Sequence, residues 1–552
     1  MSDTTIDVLL PRPDSGTDAT GLAPRATTLQ GARLGFIWNS KPNGDAIFEG
    51  FLHELAQRGV QLASVQRHVK PGSAVRASDE VLDALMDCDA VVVAVGDCGS
   101  CTSWAVEDAL ALETRGIPAV PIVSASFVLL AQAIAAANGR AELPLAVVEH
   151  PIGSLTREVA GLRMQPVADS LIAALTTLPA ASPAADAPGW PTFQPPRPGG
   201  DRAPFAASHR TLSLDDDVVG ISDFYYDHGY TDGLPIVPPT AERVERMVAG
   251  ARRPATDELG PMPPSNAMTT VADVAACAVM AGCQSEYFPV LLAAVEAVLA
   301  KDFNLLGVQA TTHSVAPMVV VNGPVARRLS INSEEGCFGP GWKANSTIGR
   351  ALRLVLMNIG GAYPGLTDKA TFGTPAKYAF LFAENERDSP WDPWHVDQGF
   401  AADDSTVTLV GGEAPHNIND HGARSAEELM LTVARTIANP GNNNSYQGGN
   451  PAVIFGPEHA ATLADDGWTK SDVQRYLFDS ARVPMDAFHA TNVTRFAHTR
   501  PSFFDPAHPF ESVPLADRPE DFMIVVAGGV GKFSMFVPTF GLTRPVIRPI
   551  EH

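Results

Sequence analysis

The residues from Val91 to Val95 are all small or β-branched and apolar, and this run constrains the fold more than any other segment. Such a run predicts a strand that is buried on both faces, as at the centre of a parallel sheet. The run ends in Gly-Asp, and a Cys-x-x-Cys pair, Cys98 and Cys101, then precedes a predicted helix over 105–114. We therefore expect both thiols at the carboxyl edge of a sheet, where open α/β folds bind their ligands.

Strands and helices alternate along the first third of the chain. The predicted strands cover 34–38, 60–68, 91–95 and 119–123, and the predicted helices cover 46–58, 78–86, 105–114 and 127–137. This alternation predicts an α/β fold with a doubly wound, mostly parallel sheet and helices on both of its faces.

Composition divides the chain into four parts. We expect a flexible arm over 1–30, the α/β domain over 31–178 and a Pro/Ala-rich linker over 179–210. A larger mixed α/β domain that binds the substrate is expected over 211–552, with a length sufficient for two subdomains.

The overall charge and the cysteine content limit the possible functions. A formal net charge of −23 argues against nucleic acid or an anionic membrane as a partner, because both require a basic surface. The chain contains neither a long apolar stretch nor a signal-peptide pattern, so we expect a cytoplasmic protein. Separately, we expect the protein to be a homo-oligomer. Six cysteines are too few for a disulfide scaffold, which favours a redox or metal-binding role for the Cys-x-x-Cys pair.

The cysteine pair carries the most specific chemistry in the sequence. A helix N-terminus favours the thiolate, so Cys98 is expected to be activated, with Cys101 one turn away as its partner. A zinc site needs four ligands, and no second Cys-x-x-Cys or His-x-x-x-His pair completes one, although remote histidines could bind a metal with these thiols. We expect Asp97 and Thr102, which flank the pair, to contact the substrate.

The loop after the first predicted strand lies at the same edge of the predicted sheet. Lys41 could stabilise a thiolate or bind an anionic substrate, and Asn39 or Asn43 could orient that substrate. The structural alternative is a capped helix start with an exposed lysine.

The segment Cys98-Gly99-Ser100-Cys101-Thr102 resembles the signature of the UGSC family of selenoproteins and their cysteine homologues. It is more distantly similar to the redox motif of selenoprotein B of glycine, sarcosine and betaine reductases. The resemblance covers about residues 30–178 and implies that Cys98 takes the selenocysteine position as nucleophile, with Cys101 as the resolving thiol. Sulfur at the first position makes a weaker nucleophile than selenium, and no pyruvoyl-forming signature accompanies it, so glycine reductase activity itself is not expected.

Two segments of the second domain are candidates for substrate binding. A Gly-rich loop leads into a predicted helix, where Lys343, Asn345 and Arg350 could bind an anion or a substrate carboxylate, with tight packing as the alternative. Glu384 and Glu386 follow a predicted strand, and a buried carboxylate pair would contain one raised pKa suited to acid–base work. A solvated loop is the simpler interpretation of the second segment.

Together these features predict a thiol-dependent redox enzyme for a small organic substrate, with reductive cleavage of a carbon–heteroatom bond as the reaction. An external thiol reductant would restore the dithiol, and no other cofactor is predicted, although a bound metal is possible. The alternatives are a thiol–disulfide or peroxide oxidoreductase and a non-catalytic metal- or sulfur-binding protein.

Overall fold

The computed structural model describes residues 5–11, 21–178, 211–500, 503 and 511–551. The predicted linker over 179–210 therefore lies outside the described residues. We call residues 21–178 the amino-terminal domain and residues 211–551 the carboxyl-terminal domain.

The first part of the chain alternates strands and helices, as predicted. Its strands are β1 (Thr5–Leu9), β2 (Arg33–Trp38), β3 (Ser64–Val69), β4 (Ala90–Gly96), β5 (Ala119–Ser124) and β6 (Ala146–Val148). Its helices are α1 (Gly44–Gln57), α2 (Asp79–Ala84), α3 (Gly99–Thr114), α4 (Val128–Ala137), α5 (Arg157–Leu162) and α6 (Ala168–Thr176).

The sheet of the amino-terminal domain is parallel throughout and has the strand order β3-β2-β4-β5-β6. Every residue of β4 is buried, and its side chains from Ala90 to Ala94 alternate between two cores. Val91 and Val93 face the core that includes α3 and α4, whereas Val92 and Ala94 face the core that includes α1 and α6. Helices therefore cover both faces of the sheet, which confirms the predicted doubly wound fold.

The carboxyl-terminal domain continues the mixed α/β pattern. Its strands are β7 (Thr211–Asp215), β8 (Glu258–Met262), β9 (Ala267–Thr270), β10 (Ala316–Asn322), β11 (Leu381–Ala383), β12 (Thr406–Gly412), β13 (His416–Asn419), β14 (Ala452–Phe455), β15 (Arg482–Pro484), β16 (Ser512–Pro514), β17 (Met523–Val526), β18 (Phe533–Val537) and β19 (Val546–Pro549). Its helices are α7 (Val218–Asp227), α8 (Ala241–Ala249), α9 (Val271–Ala281), α10 (Phe288–Leu299), α11 (Leu305–Ala310), α12 (Pro324–Arg328), α13 (Lys343–Asn358), α14 (Trp394–Asp397), α15 (Ala426–Ile437), α16 (Asn443–Gln447), α17 (Pro457–Asp465), α18 (Lys470–Ser480) and α19 (Ala490–Thr499).

Two mixed four-stranded sheets organise this domain. One has the order β11-β10-β12-β19 and the other the order β13-β18-β14-β17. Helices α9, α10 and α13 pack in the large core beside the first sheet, and α15 and α18 pack in a separate core beside the second.

The start of the chain differs from the flexible arm predicted over 1–30. Strand β1 pairs antiparallel with β7, so residues 5–9 join the carboxyl-terminal domain. Arg25 forms a buried ion pair with Glu113 of α3, 2.7 Å between Nη2 and Oε1. The partners of β1 and of Arg25 are far away in sequence. No local sequence pattern therefore indicates that these two segments bind the rest of the protein.

The two domains share a packed interface. Leu306 and Ala310 of α11 belong to the hydrophobic core around α3, although they come from the carboxyl-terminal domain. The indole Nε1 of Trp104 on α3 donates a hydrogen bond of 3.1 Å to Oδ1 of Asn304. Among the described helices, none is long and apolar enough to cross a bilayer.

Candidate active site

The cysteine pair lies where β4 turns into α3. Helix α3 begins at Gly99, earlier than the predicted start at residue 105, and Cys98 occupies its N-cap position. The backbone N–H of Cys101 donates to Cys98 Sγ over 3.3 Å. The two cysteines form a disulfide with a Cα–Cα distance of 5.3 Å, well within the usual range.

The two sulfurs differ in their access to solvent. Cys98 is partly exposed, whereas Cys101, in the first turn of α3, is only 1% exposed. An incoming molecule therefore reaches Cys98 first. This asymmetry agrees with the attacking and resolving roles expected from the resemblance, which remain a prediction.

The loop after β2 lies beside the cysteines, because β2 and β4 are neighbouring parallel strands. Asn39 is fully buried, and its side-chain amide both donates to Val95 O and accepts from Val95 N, each over 3.0 Å. Asn43 donates from Nδ2 to two carbonyl oxygens of the loop after β6. Both amides are thus bound to backbone and hold the edge together, which differs from the predicted contact with substrate.

Lys41 and Asp97 line this edge with opposite charges. The Lys41 Cε lies 3.4 Å from the position that a Cβ on Gly153 would take, and an Asp97 carboxylate oxygen lies 3.5 Å from that position. The same Asp97 oxygen accepts hydrogen bonds from the backbone N–H groups of Ile152 and Gly153, 3.1 and 2.8 Å away. Thr102, fully buried, donates to Cys98 O over 2.7 Å, so it stabilises the helix start.

His150 is a member of the site that the sequence analysis missed. Its Nδ1 lies 2.9 Å from Asp97 Oδ1 and 3.0 Å from Ser124 Oγ. Phe127 covers the imidazole edge-on, with 5.7 Å between ring centroids. A polar residue just after β6 is the signal that could have identified His150, since the carboxyl ends of parallel strands meet at one edge.

The carboxyl-terminal domain closes the other side of the motif. A Cβ on Gly99 would overlap the carbonyl oxygen of Ala310 at the end of α11, and would lie 3.1 Å from the Cβ of Lys369. The Lys369 Nζ extends over the Phe127 ring, 5.7 Å from its centroid. Neither Ala310 nor Lys369 carries a local sequence signal, because their proximity to Gly99 arises only from domain packing.

The remaining cysteines are of a different kind. Cys88 and Cys277 are buried, and burial raises the pKa of both thiols. Burial also raises the pKa of Cys337 to about 11 and that of Cys283 to about 12. A thiol that stays protonated at neutral pH is a poor nucleophile, so these four cysteines are poor candidates for that role.

The Gly-rich loop before α13 differs from the predicted anion site. Arg350 forms a bidentate ion pair with Asp232, with 2.9 Å for both nitrogen–oxygen contacts, and also donates to the carbonyls of Leu234 and Pro235. Asn345 is buried, and its amide bonds only to backbone groups. Lys343 is exposed at the start of α13. Two of the three predicted contacts are thus occupied within the protein, which favours the packing alternative.

Glu384, which is buried, and Glu386, which is partly exposed, form a separate polar cluster beyond the end of β11. Glu384 Oε2 accepts from Asn322 Nδ2 over 2.6 Å and from the backbone N–H of Trp394 over 2.8 Å. Glu386 accepts from the same Asn322 amide over 3.1 Å. Burial raises the pKa of Glu384. Because this carboxylate is 3% exposed, the solvated-loop alternative is wrong for Glu384.

No cluster of three or more His, Cys, Asp or Glu side chains with metal-site geometry occurs among the residues that the structure describes. The features assembled here define a doubly wound α/β domain with a Cys-x-x-Cys pair beside the point where its strand order reverses, between β2 and β4.

Comparison with known families agrees with this class. Residues 7–177 match the model of the UGSC family, so this part of the chain is similar to that family. The expected resemblance is thereby confirmed, and the match begins before the predicted residue 30. A comparison with curated proteins gives no match.

Proposed function

We propose that the protein is a thiol-dependent reductase that cleaves a carbon–heteroatom bond of a small organic substrate. The observation that carries the proposal is the unequal exposure of two sulfurs close enough to form a disulfide, at the carboxyl edge of a parallel sheet.

In the proposed reaction the Cys98 thiolate attacks carbon and expels the heteroatom group with its bonding electron pair, leaving a Cys98 thioether. The Cys101 thiolate then attacks Cys98 sulfur, forms the disulfide and releases the carbon group with the electron pair of the broken S–C bond. That carbon takes up a proton, and His150 beside Asp97 is the group that we assign to supply it. In total, the two thiols are oxidised by two electrons to the disulfide. The carbon and the heteroatom group, whose bond is broken, take up these two electrons.

An external dithiol must reduce the disulfide before the next cycle, by exchange through a mixed disulfide. The reductant must reach Cys98, which is the partly exposed sulfur.

The alternative of a protein disulfide reductase fits the site less well. Such an enzyme must accommodate a second polypeptide at its attacking sulfur, whereas α11 and Lys369 of the carboxyl-terminal domain cover one side of the motif here. A peroxide reductase would need only the same two thiols, so measured peroxide consumption must distinguish it from the proposed reaction.

The proposal is tested by alkylating the fully reduced protein with iodoacetamide near neutral pH and locating the label by peptide mass spectrometry. We expect labelling at Cys98 first, with Cys101 and Cys337 much slower. Labelling of Cys101 ahead of Cys98, or equal labelling of Cys98 and Cys337, would exclude Cys98 as the proposed nucleophile.

A second experiment traps the intermediate. In Cys101→Ser protein purified from cells and quenched in acid, a substrate adduct on Cys98 should persist because the resolving thiol is absent. The adduct should be missing from the Cys98→Ser/Cys101→Ser double variant, and Cys337→Ser serves as the matched control. An adduct mass that corresponds only to oxygen atoms would instead favour the peroxide reaction.

A further inference from the structure

We propose that Lys369 of the carboxyl-terminal domain recognises a negatively charged group, such as a carboxylate, on the molecule that Cys98 attacks. This inference rests on the proposed nucleophilic role of Cys98 and names the substrate class of the same site. Lys369 is the cation that domain packing brings against the motif, with its Cβ 3.1 Å from the Cβ position of Gly99.

The charge of Lys369 is not balanced within the protein. Among the described residues, no carboxylate lies within ion-pair distance of its Nζ, which donates one hydrogen bond of 3.1 Å to Gly365 O. Lys377, partly buried, and Lys70, fully buried, do have such partners: Lys377 pairs with Asp368 at 2.6 Å and Lys70 pairs with Asp108. Partial burial lowers the pKa of Lys369, and no neighbouring anion opposes this effect. An anionic ligand would provide the missing compensation.

The surroundings of Lys369 suit a small anion. Its Nζ lies over Phe127, which supplies an apolar wall and a cation–π contact. The carboxylate of Asp97, which precedes the motif, accepts hydrogen bonds from two backbone N–H groups through Oδ2, so its charge is partly compensated.

The test needs no knowledge of the substrate. Iodoacetate and iodoacetamide alkylate a thiolate by the same displacement of iodide, and they differ in the negative charge of the reagent. We therefore compare their second-order rate constants at Cys98 in the reduced protein, in Lys369→Gln, in Lys369→Arg and in the exposed control Lys301→Gln.

In Lys369→Gln the iodoacetate rate constant should fall roughly three- to tenfold, because an attractive charge near the thiolate is lost, while the iodoacetamide rate constant stays close to that of the parent protein. Lys369→Arg should retain the parent ratio of the two rate constants, and so should Lys301→Gln. Lys369→Met, which keeps the apolar stem, repeats the charge removal if the Gln variant is unstable.

An unchanged ratio in both charge-removing variants would overturn the inference, and so would an equal fall with both reagents, which indicates a structural role for Lys369. Iodoacetamide, which is neutral, measures the reactivity of the Cys98 thiolate independently of the charge of Lys369. If Cys98 of the parent protein resists iodoacetamide, the proposed function itself fails and the substrate class falls with it.

Discussion

The carbonyl oxygen of Ala310 lies so close to the Cα of Gly99 that no side chain fits between them. This contact joins the end of α11 in the carboxyl-terminal domain to the first residue of α3, between the two cysteines of the motif. The glycine of the motif is therefore needed for domain contact, and the candidate active site belongs to both domains.

Gly99→Ala is expected to disturb this contact. The added methyl group overlaps backbone rather than a flexible side chain, so the domains must separate locally at a cost of about 1–3 kcal/mol. We expect lower stability in denaturant unfolding, and faster labelling of the buried Cys101 in the reduced protein. Gly21→Ala is the matched control, because a Cβ at Gly21 meets nothing within 4 Å. Identical unfolding of Gly99→Ala and the parent protein would refute the contact.

The ion pair between Lys70 and Asp108 supports α3 from behind the cysteines. Both side chains are fully buried, and Asp108 also accepts a 2.8 Å hydrogen bond from the backbone N–H of Ala77. Lys70→Met should destabilise the protein by about 3–5 kcal/mol, because it leaves a buried carboxylate without a cation. The Lys70→Met/Asp108→Asn double variant should recover part of that loss, as measured in a urea double-mutant cycle. Additive effects of the two substitutions would show that the charges do not interact.

Arg350→Ala separates a structural role of this arginine from the role in substrate binding that the sequence suggested. Loss of the bidentate pair with Asp232 should lower the free energy of unfolding by about 2 kcal/mol, since a buried carboxylate loses its partner. The ratio of iodoacetate to iodoacetamide reactivity at Cys98 should not change. A fall in that ratio, without loss of stability, would restore Arg350 to the substrate site.

His459 should make the protein sensitive to acid. Its ring is buried between Ser534 Oγ, 2.8 Å from Nδ1, and Asp420 O, 3.0 Å from Nε2, and burial lowers its pKa. The unfolded chain binds this proton more readily, so the stabilisation is complete above about pH 6.5 and is lost as the pH falls below that value.

The measurement is the free energy of unfolding between pH 8 and pH 5. His459→Gln, which does not titrate, should show a shallower decline on acidification, whereas the exposed control His416→Gln should follow the parent curve. Parallel curves for the parent protein and His459→Gln would exclude His459 as the source.

Local pattern was sufficient for much of the amino-terminal fold. The apolar run ending at Val95 predicted a central strand, and the turn after it placed Cys98 at the sheet edge, as the structure has it. The predicted strand over 60–68 starts too early, since the observed strand begins at Ser64. Val60 and Leu62 are apolar because they pack on the core beside α1, and hydrophobicity alone does not separate such a loop from a strand.

The contacts of the candidate active site were less predictable from the sequence than the fold. Polar residues at strand ends are recognisable, but their hydrogen-bond partners are not, so Asn39 and Arg350 were expected to bind substrate and instead bind protein. Conversely, Lys369 has no local signal, although its stem lies beside the motif.

The sequence by itself determined the order of strands and helices in the first domain, the position of the two cysteines after β4 and the resemblance of that region to the UGSC family. These properties depend on residues that are neighbours along the chain, where hydrophobic periodicity and turn chemistry act directly. Only the tertiary structure decided which sulfur is exposed, which polar groups are already occupied and which residues of the second domain contact Gly99 of the motif. Those properties depend on contacts between segments hundreds of residues apart, and such contacts exist only once both cores have formed.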